Sequence, residues 1–176
     1  RDFRWTVPGR FNIGVAVADR WAAEDPDRTA LFDYRADGAP DRLSFSELAS
    51  KSNAFANALR SRGIRRGDRV ALLLPQSFET VIAHLAIYKL GAIAVPLSAA
   101  FGSDALEVRL RGSEPRAVLG ERESLERVTA LGFEGVLIDV DNDLERLLAD
   151  ASPHFTAAAT TPDTPALLVY TSGTTG

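Results

Sequence analysis

Hydroxyl-bearing residues and glycines make up the whole of residues 171–176. A glycine adopts a positive φ at no steric cost, so it lets the backbone turn and lets several N–H groups point at one anion. Serine and threonine hydroxyls add donors that can rotate toward phosphate oxygens. The pattern therefore predicts a phosphate-binding loop. Its candidate residues are Thr171, Ser172, Gly173, Thr174, Thr175 and Gly176.

The residues before this loop, 166–170, are Ala-Leu-Leu-Val-Tyr, and they predict a buried β-strand that runs directly into it. In an open α/β sheet, ligands bind beyond the carboxyl ends of the strands, which is where such a loop lies. The loop fits neither the Walker A pattern, since no lysine follows it, nor the dinucleotide pattern G-x-G-x-x-G. A plain surface loop of the same composition remains the alternative.

Strand and helix patterns alternate along the rest of the chain. The predicted strands are 29–34, 42–45, 69–74, 92–97, 116–119 and 135–140, and the predicted helices are 11–24, 44–62, 77–90, 103 onward, 124–131 and 143–150. This alternation favours βαβ units, so the predicted fold class is α/β, with a mainly parallel sheet and flanking helices. Residues 151–165 are rich in Pro, Thr and Ala and are predicted to form a surface loop that leads to the strand and loop at 166–176.

Helix boundaries are marked by capping residues. Ser44 followed by Glu47 fits a capping box, in which each side chain accepts a hydrogen bond from a backbone N–H of the other residue. Gly63 and Gly91 follow the predicted second and third helices, where a left-handed residue ends a helix.

Composition excludes several classes of function. The chain has no Cys, and its two His have no partner at a metal-ligand spacing, so neither a disulfide framework nor a zinc or haem site is expected. A net charge of −4 gives no electrostatic footprint for nucleic acid. No apolar run approaches the ~18 residues that span a bilayer, and residues 1–5 lack a secretory pattern. The expectation is a cytoplasmic protein with no membrane span and no nucleic-acid partner.

Five residues outside the loop are notable by type, and none of them is predicted to bind a ligand or to take part in catalysis. His84 lies beside the apolar face of the predicted helix 77–90, and Trp5 and Trp21 are expected to make packing contacts. Only Lys51 and Lys89 among the 20 basic residues are lysines. Lys89 is expected to pair with a glutamate or to face solvent, and neither lysine is assigned to catalysis.

Four segments resemble, in order, motifs of the adenylate-forming superfamily of AMP-dependent synthetases and ligases. Residues 170–176, Tyr-Thr-Ser-Gly-Thr-Thr-Gly, resemble the opening of its phosphate-binding signature. Residues 43–48 resemble the entry to its early helix, residues 67–71 its G-D-R-V-A turn, and residues 88–97 its K-x-G-A-x-x-x-P-L segment. Further segments most resemble the acetyl- and medium-chain acyl-CoA synthetases, namely residues 11–13, 19–21, 75–76, 83–86 and 101–107.

The resemblance implies that residues 1–176 are the N-terminal part of the large domain of an AMP-forming synthetase, with the small C-terminal domain outside this sequence. It implies that a small carboxylic acid attacks the α-phosphate of ATP with Mg²⁺, and that the thiol of CoA then displaces AMP. ATP, Mg²⁺ and CoA are therefore the implied cofactors. The residues implied to hold the β- and γ-phosphates are Thr171, Ser172, Gly173, Thr174, Thr175 and Gly176.

The family signature continues with Pro-Lys-Gly after the position of Gly176, and none of its catalytic residues or metal ligands matches a residue of 1–176. The 176-residue polypeptide is therefore expected to be inactive by itself. It is also expected to associate with the remainder of its protein or with another copy, because a sheet that ends at 166–170 leaves an edge open. Two alternatives stay open. One is an adenylation domain that loads an amino or aryl acid onto a carrier protein, and the other is a non-catalytic nucleotide-binding or interaction module.

Overall fold

Strands and helices alternate in the computed structural model, which describes residues 6, 8–34 and 38–171. The strands are β1 (Thr29–Asp33), β2 (Asp41–Ser44), β3 (Arg69–Leu73), β4 (Ile93–Pro96), β5 (Ala117–Gly120) and β6 (Val136–Asp139). The helices are a π-helical segment (Val15–Asp19) that continues as α1 (Arg20–Glu24), then α2 (Phe45–Ser61), α3 (Phe78–Leu90), α4 (Ser103–Ser113), α5 (Arg122–Ala130) and α6 (Val140–Asp150). Every element predicted between residues 29 and 150 is present, with changes at some boundaries.

Four strands form a parallel sheet in the order β4-β3-β5-β6. Ala71 of β3 is paired with Val95 of β4 on one side and with Val118 of β5 on the other, and Val118 is opposite Leu137 of β6. β1 and β2 form a separate antiparallel pair. A helix connects each strand of the parallel sheet to the next along the chain. The predicted α/β class with a mainly parallel sheet and flanking helices is therefore confirmed.

Helices cover both faces of the parallel sheet. Val70 and Leu72 of β3 pack in one apolar cluster with residues of α2, α3 and α6. Ala71 and Leu73, which point the opposite way because side chains alternate along a strand, pack in a second cluster with residues of α4 and α5. Because both faces are occupied, the ends of the strands are where the sheet can present groups to a ligand.

Capping residues set the ends of α2 and α3. Ser44 Oγ accepts a hydrogen bond from Glu47 N at 3.2 Å, and Glu47 Oε2 accepts one from Ser44 N at 2.8 Å, so the predicted capping box is confirmed. The hydrogen bond from the Ser44 backbone, and next that from its side chain, lowers the pKa of Glu47. Gly91 ends α3 with a φ of 74°, the left-handed conformation that this position favours in glycine.

The boundary between β6 and α6 differs from its prediction. The sequence pattern predicts a strand through residue 140 and a helix from residue 143, whereas α6 begins at Val140, directly after β6. The Asp139 side chain accepts a hydrogen bond from Asn142 N at 3.3 Å and caps the helix at this earlier position. A local cap therefore overrides the apolar pattern of Val140.

The N-terminal helix also differs from its prediction. Its predicted start is Phe11, but Asn12 Oδ1 accepts a hydrogen bond from Val15 N at 3.3 Å and leaves Phe11 outside the helix. The middle of the helix, Val15–Asp19, is π-helical. In this geometry Val15 is 37% exposed, whereas Ala18 is fully buried.

Lys89 of α3 is fully buried, with a relative exposure of 0%. Its Nζ donates hydrogen bonds to Asp19 Oδ1 at 2.9 Å, to Ser52 Oγ at 2.9 Å and to Asn53 Oδ1 at 2.8 Å. Burial lowers the pKa of Lys89, and the hydrogen bond and charge of Asp19 act in the opposite direction. The prediction that Lys89 pairs with a glutamate or faces solvent is therefore wrong. Its partner is Asp19 of the π-helical segment, and the ion pair joins that segment to α3.

The connection between α6 and the candidate site, residues 151–165, forms no regular helix or strand. Asn57 of α2 donates hydrogen bonds to Ser152 O at 2.7 Å and to His154 O at 2.9 Å. Further along, Ala158 N donates to Lys89 O at 2.7 Å. The first half of the connection is therefore held against α2 and the end of α3.

Trp21 lies next to Phe45, with 5.9 Å between the ring centroids, as its predicted packing role requires. Trp5 lies outside the described residues. No helix in the described part of the chain is long and apolar enough to cross a membrane.

His84 is half-buried on α3, and its Nδ1 lies 3.1 Å from the Tyr88 hydroxyl. Burial lowers the pKa of His84 below its ordinary value of 6.5. Between these two pKa values the unfolded chain binds more protons than the folded chain. The contribution of neutral His84 to stability is therefore complete above the ordinary pKa of the unfolded chain. It is lost as the pH falls through the lowered pKa of the folded chain.

We expect His84→Gln to remove part of the pH dependence of stability. As the pH falls below 6.5, the free energy of unfolding of the wild type should fall more steeply than that of the variant. Urea unfolding of the polypeptide at several pH values measures both slopes. His154→Gln, at an exposed histidine, is the matched control and should keep the wild-type slope. Equal slopes for the wild type and His84→Gln would contradict the prediction.

Candidate phosphate-binding site

The segment that leads into the candidate loop extends the parallel sheet beyond β4. Leu167 forms a parallel bridge with Ala94 of β4. Ala94 N donates a hydrogen bond to Ala166 O, and Leu168 N donates one to Ala94 O, both at 2.9 Å. Since the segment runs parallel to β4, its carboxyl end lies at the same edge of the sheet as the carboxyl ends of β3 and β4.

This segment is less buried than its sequence predicts. Leu168 and Tyr170 pack against the apolar cluster on the α4 and α5 side of the sheet. Leu167 and Val169 point the other way and are 49% and 56% exposed. The prediction of a buried strand is therefore wrong for Leu167 and Val169. The segment is the last one on its side of the sheet among the described residues, and only one of its faces is covered.

Thr171 is the last residue of the described range, and it follows this segment directly at the carboxyl edge. The other candidate residues lie outside the described residues, namely Ser172, Gly173, Thr174, Thr175 and Gly176. The structure thus brings the start of the loop to the carboxyl edge, and the phosphate contacts of residues 171–176 stay a prediction.

Tyr170, the residue before the loop, is held by α4. Its hydroxyl donates a hydrogen bond to Arg109 O at 3.1 Å. The Arg109 guanidinium carbon lies 5.6 Å from the centroid of the Tyr170 ring and 4.2 Å from that of Phe101. The guanidinium therefore contacts both rings, one from the segment before the loop and one from the turn after β4.

The turn after β4 is held by a second arginine. Arg127 of α5 donates from Nη1 to Phe101 O at 2.9 Å and from Nη2 to Ala99 O at 2.8 Å. Nη2 also lies 3.2 Å from Ser124 Oγ. Two guanidinium groups, of Arg109 and Arg127, thus lie at Phe101 on the β4 side of the carboxyl edge.

The opposite side of the carboxyl edge is acidic. A cavity of about 340 Å³ near the ends of β3, β5 and β6 is lined by several residues, including Glu79, Glu121, Asp141 and Glu145. Carboxylates repel an anion, so this side of the edge is unfavourable for phosphate. Among the residues that the structure describes, no group of three or more His, Cys, Asp or Glu side chains is arranged to hold a metal ion.

Sequence patterns did not indicate the residues that contact Tyr170 and the turn after β4. Arg109 is 61 positions from Tyr170 in the chain, and Arg127 is 26 positions from Phe101. Only the folded sheet brings these residues together, and the high arginine content of the sequence hides them among other arginines. Gly112, beside the Tyr170 hydroxyl, is likewise one of 13 glycines with nothing in its neighbourhood to distinguish it.

A family model described as "AMP-binding enzyme" matches residues 18–176. Acetyl-coenzyme A synthetase 2 of Saccharomyces cerevisiae is 30% identical over 204 residues, which cover 99% of this chain and 30% of that protein. ATP-bound MatB from Rhodopseudomonas palustris is 28% identical with a TM-score of 0.80, and the match covers 94% of this chain and 33% of MatB. The anthranilate CoA ligase AuaEII, solved with anthranoyl-AMP, is 26% identical with a TM-score of 0.86, and the match covers 97% and 33% of the two chains.

The similarity to these proteins extends over nearly the whole of this chain and over its fold. The chain spans about a third of the length of each of these three relatives.

Proposed function

Because this chain belongs to the family of AMP-binding enzymes, whose model matches residues 18–176, we propose that it is part of an AMP-forming acid–thiol ligase of the acyl-CoA synthetase type. In the first step a carboxylate oxygen bonds to the α-phosphorus of ATP, and the bond from that phosphorus to pyrophosphate breaks. In the second step the CoA thiol loses its proton, its sulfur bonds to the acyl carbon, and AMP leaves. A cytoplasmic location, where ATP and CoA are both supplied, is part of the same proposal.

The observation that carries the proposal is the parallel pairing of Leu167 with Ala94, which directs Thr171 to the carboxyl edge of the sheet. We assign residues 171–176 to the β- and γ-phosphates of ATP. Attack of an anionic carboxylate on an anionic polyphosphate is opposed by charge repulsion, and preorganised donors reduce that repulsion in the transition state. Each charge-assisted hydrogen bond contributes about 1.5–3 kcal/mol. These residues bind and orient the polyphosphate, and we assign no proton transfer to them.

The relatives support each part of the reaction. MatB was solved with ATP and AuaEII with anthranoyl-AMP, an acyl-adenylate, and the yeast relative is an acetyl-CoA synthetase. We propose ATP, a small carboxylic acid and CoA as the substrates of the complete protein. Mg²⁺ is expected to accompany ATP. No step is assigned to the metal.

Exchange of labelled pyrophosphate into ATP tests the first step. The complete product of the gene that carries this sequence should catalyse exchange that depends on a carboxylic acid, in a panel of acetate, longer fatty acids, aryl acids and amino acids. Thioester formation with CoA then tests the second step. Exchange without thioester formation on CoA would favour loading of a carrier protein, and ATP binding without exchange for any acid would favour a non-catalytic nucleotide-binding module.

We further propose that residues 1–176 form part of the large domain, and that the remaining ATP contacts and the catalytic residues lie outside this range. The 176-residue polypeptide by itself should then catalyse no exchange. It should also bind Mg–ATP much more weakly than the complete protein in a calorimetric titration. Tight Mg–ATP binding by the polypeptide alone would contradict this proposal.

The exposed side of the segment at 166–170 predicts self-association of the same polypeptide. Leu167 and Val169 place two half-exposed apolar side chains at the edge of the sheet, where backbone groups are available for pairing. We expect the wild-type polypeptide to form dimers or larger species in sedimentation velocity. The pair Leu167→Lys and Val169→Lys should shift it toward monomer.

Val108→Lys is the matched control, because Val108 is 59% exposed on α4 and is not part of this edge. It should leave the distribution of species unchanged. A wild-type polypeptide that sediments as a monomer at every concentration would contradict the prediction.

A further inference from the structure

The contacts of Tyr170 distinguish α4 from the other helices that flank the sheet. The backbone of the segment before the loop is joined to β4 by one bridge and two hydrogen bonds, all to Ala94. Such a short pairing leaves the direction of the next residues weakly fixed. The Tyr170 side chain, one position before Thr171, supplies a second attachment through its hydrogen bond to Arg109 O.

Arg109 is itself held in place. Its Nη1 donates a hydrogen bond to Ala105 O at 2.8 Å, one turn earlier on α4. Its Nε is buried and has no hydrogen-bond partner among the described residues. The guanidinium lies over the rings of Phe101 and Tyr170, and the quadrupole of each ring attracts the cation.

Gly112 provides the space for the Tyr170 ring. A Cβ at this position would lie 2.8 Å from the Tyr170 hydroxyl oxygen, closer than carbon and oxygen approach without displacement. A methyl group at this position would therefore displace the Tyr170 hydroxyl from its hydrogen bond with Arg109 O. Gly112 is the next-to-last residue of α4 and does not have a positive φ, so the backbone conformation does not require a glycine there. The absence of a side chain here is therefore explained by the fit of Tyr170.

We propose that Phe101, Arg109 and Gly112 form a seat for Tyr170 that sets the position of the phosphate-binding loop, with Arg109 as a positioning residue. This inference rests on the proposed function of residues 171–176. Tyr170 and the loop are contiguous in the chain, so a displacement of the ring is passed to the first phosphate ligands. The seat therefore controls the use of ATP.

Arg109→Met in the complete gene product tests the seat, because it keeps much of the side-chain volume and removes the planar cation. We expect kcat/KM for Mg–ATP in pyrophosphate exchange to fall by about 10- to 100-fold, since a displacement of about 1 Å at a reacting group has effects of this size. KM for the carboxylic acid should stay within about twofold, because the seat acts through the phosphate-binding loop. Arg109→Lys, which keeps the charge, should recover part of the loss.

Gly112→Ala tests the same seat without any change of charge, because its added methyl group displaces the Tyr170 ring. It should reproduce the selective loss of kcat/KM for Mg–ATP. Arg111→Met is the matched control: Arg111 lies on the same helix, its side chain is 79% exposed, and its partner is Glu107. It should leave all constants at the wild-type values.

Hydrogen exchange of the Leu168 amide, which donates to Ala94 O, is measured in the same proteins. Faster exchange in Arg109→Met and Gly112→Ala than in Arg111→Met is expected. If the wild type shows no pyrophosphate exchange, the proposed function fails. The rate of amide hydrogen exchange at Leu168 then decides by itself whether the seat holds the segment at 166–170. If the wild type is active and Arg109→Met and Gly112→Ala keep wild-type kinetics for Mg–ATP, or lose ATP and acid constants equally, the seat is refuted.

Discussion

Substitution of either Thr174 or Thr175 with valine in the complete gene product should lower the rate of acyl-adenylate formation by about 10²–10³-fold. Valine has nearly the shape of threonine and lacks only the hydroxyl donor. Loss of one preorganised donor in a site that stabilises developing charge costs about this factor. Pyrophosphate exchange at saturating acid and ATP measures the rate. We expect the change mainly in kcat, because the donors act on charge that develops in the transition state.

Thr156→Val is the matched control for these substitutions. Thr156 is an exposed threonine in the connection at 151–165, which is held against α2 and α3 and lies before the segment that leads into the loop. The control should keep the wild-type rate. A wild-type rate in the Thr174 and Thr175 variants, or a change confined to KM for the acid, would show that these hydroxyls do not contact the polyphosphate.

Asp19→Ala should lower the free energy of unfolding by about 3–5 kcal/mol, because it leaves a buried ammonium without its counter-charge. Both carboxylate oxygens of Asp19 lie 2.9 Å from Lys89 Nζ, and the Lys89 side chain is 0% exposed. Lys89→Met should be less harmful, since the Asp19 side chain it leaves is 29% exposed and can be hydrated. Urea unfolding of the 176-residue polypeptide measures both values.

The double variant Asp19→Leu with Lys89→Met separates the net value of the ion pair from the cost of breaking it. We expect it to be more stable than Asp19→Ala alone, because removing both charges leaves neither one buried without a partner. Lys51→Met is the control, since Lys51 is exposed on α2, and it should change stability by less than about 0.5 kcal/mol. A loss below about 1 kcal/mol for Asp19→Ala would mean that water reaches the Lys89 ammonium.

The elements of the sheet were predictable because their sequence patterns are local. The apolar run of β3 and the capping box of Ser44 and Glu47 each depend on a few neighbouring residues, and both were predicted correctly. The early start of α6 was not, because the capping hydrogen bond from Asn142 to Asp139 competes with the strand pattern of Val140.

Burial was less predictable than secondary structure. An apolar run such as 166–170 can occupy either the centre or the edge of a sheet. The order of the strands, which the local sequence does not give, decides how exposed Leu167 is. Lys89 shows the same limit, because its partners Asp19, Ser52 and Asn53 are 36 to 70 positions away in the chain. At the candidate site, the loop was predicted from its composition, whereas the seat formed by Phe101, Arg109 and Gly112 exists only in the folded chain.

A crystal structure of the complete gene product with Mg–ATP tests most directly whether this loop receives the polyphosphate. The β- and γ-phosphate oxygens should lie within about 2.7–3.2 Å of backbone nitrogens and hydroxyls of residues 171–176, beyond the carboxyl end of the segment paired with β4. A polyphosphate bound elsewhere on the protein would contradict the proposed role of residues 171–176. So would a loop that turns away from the carboxyl edge of the sheet.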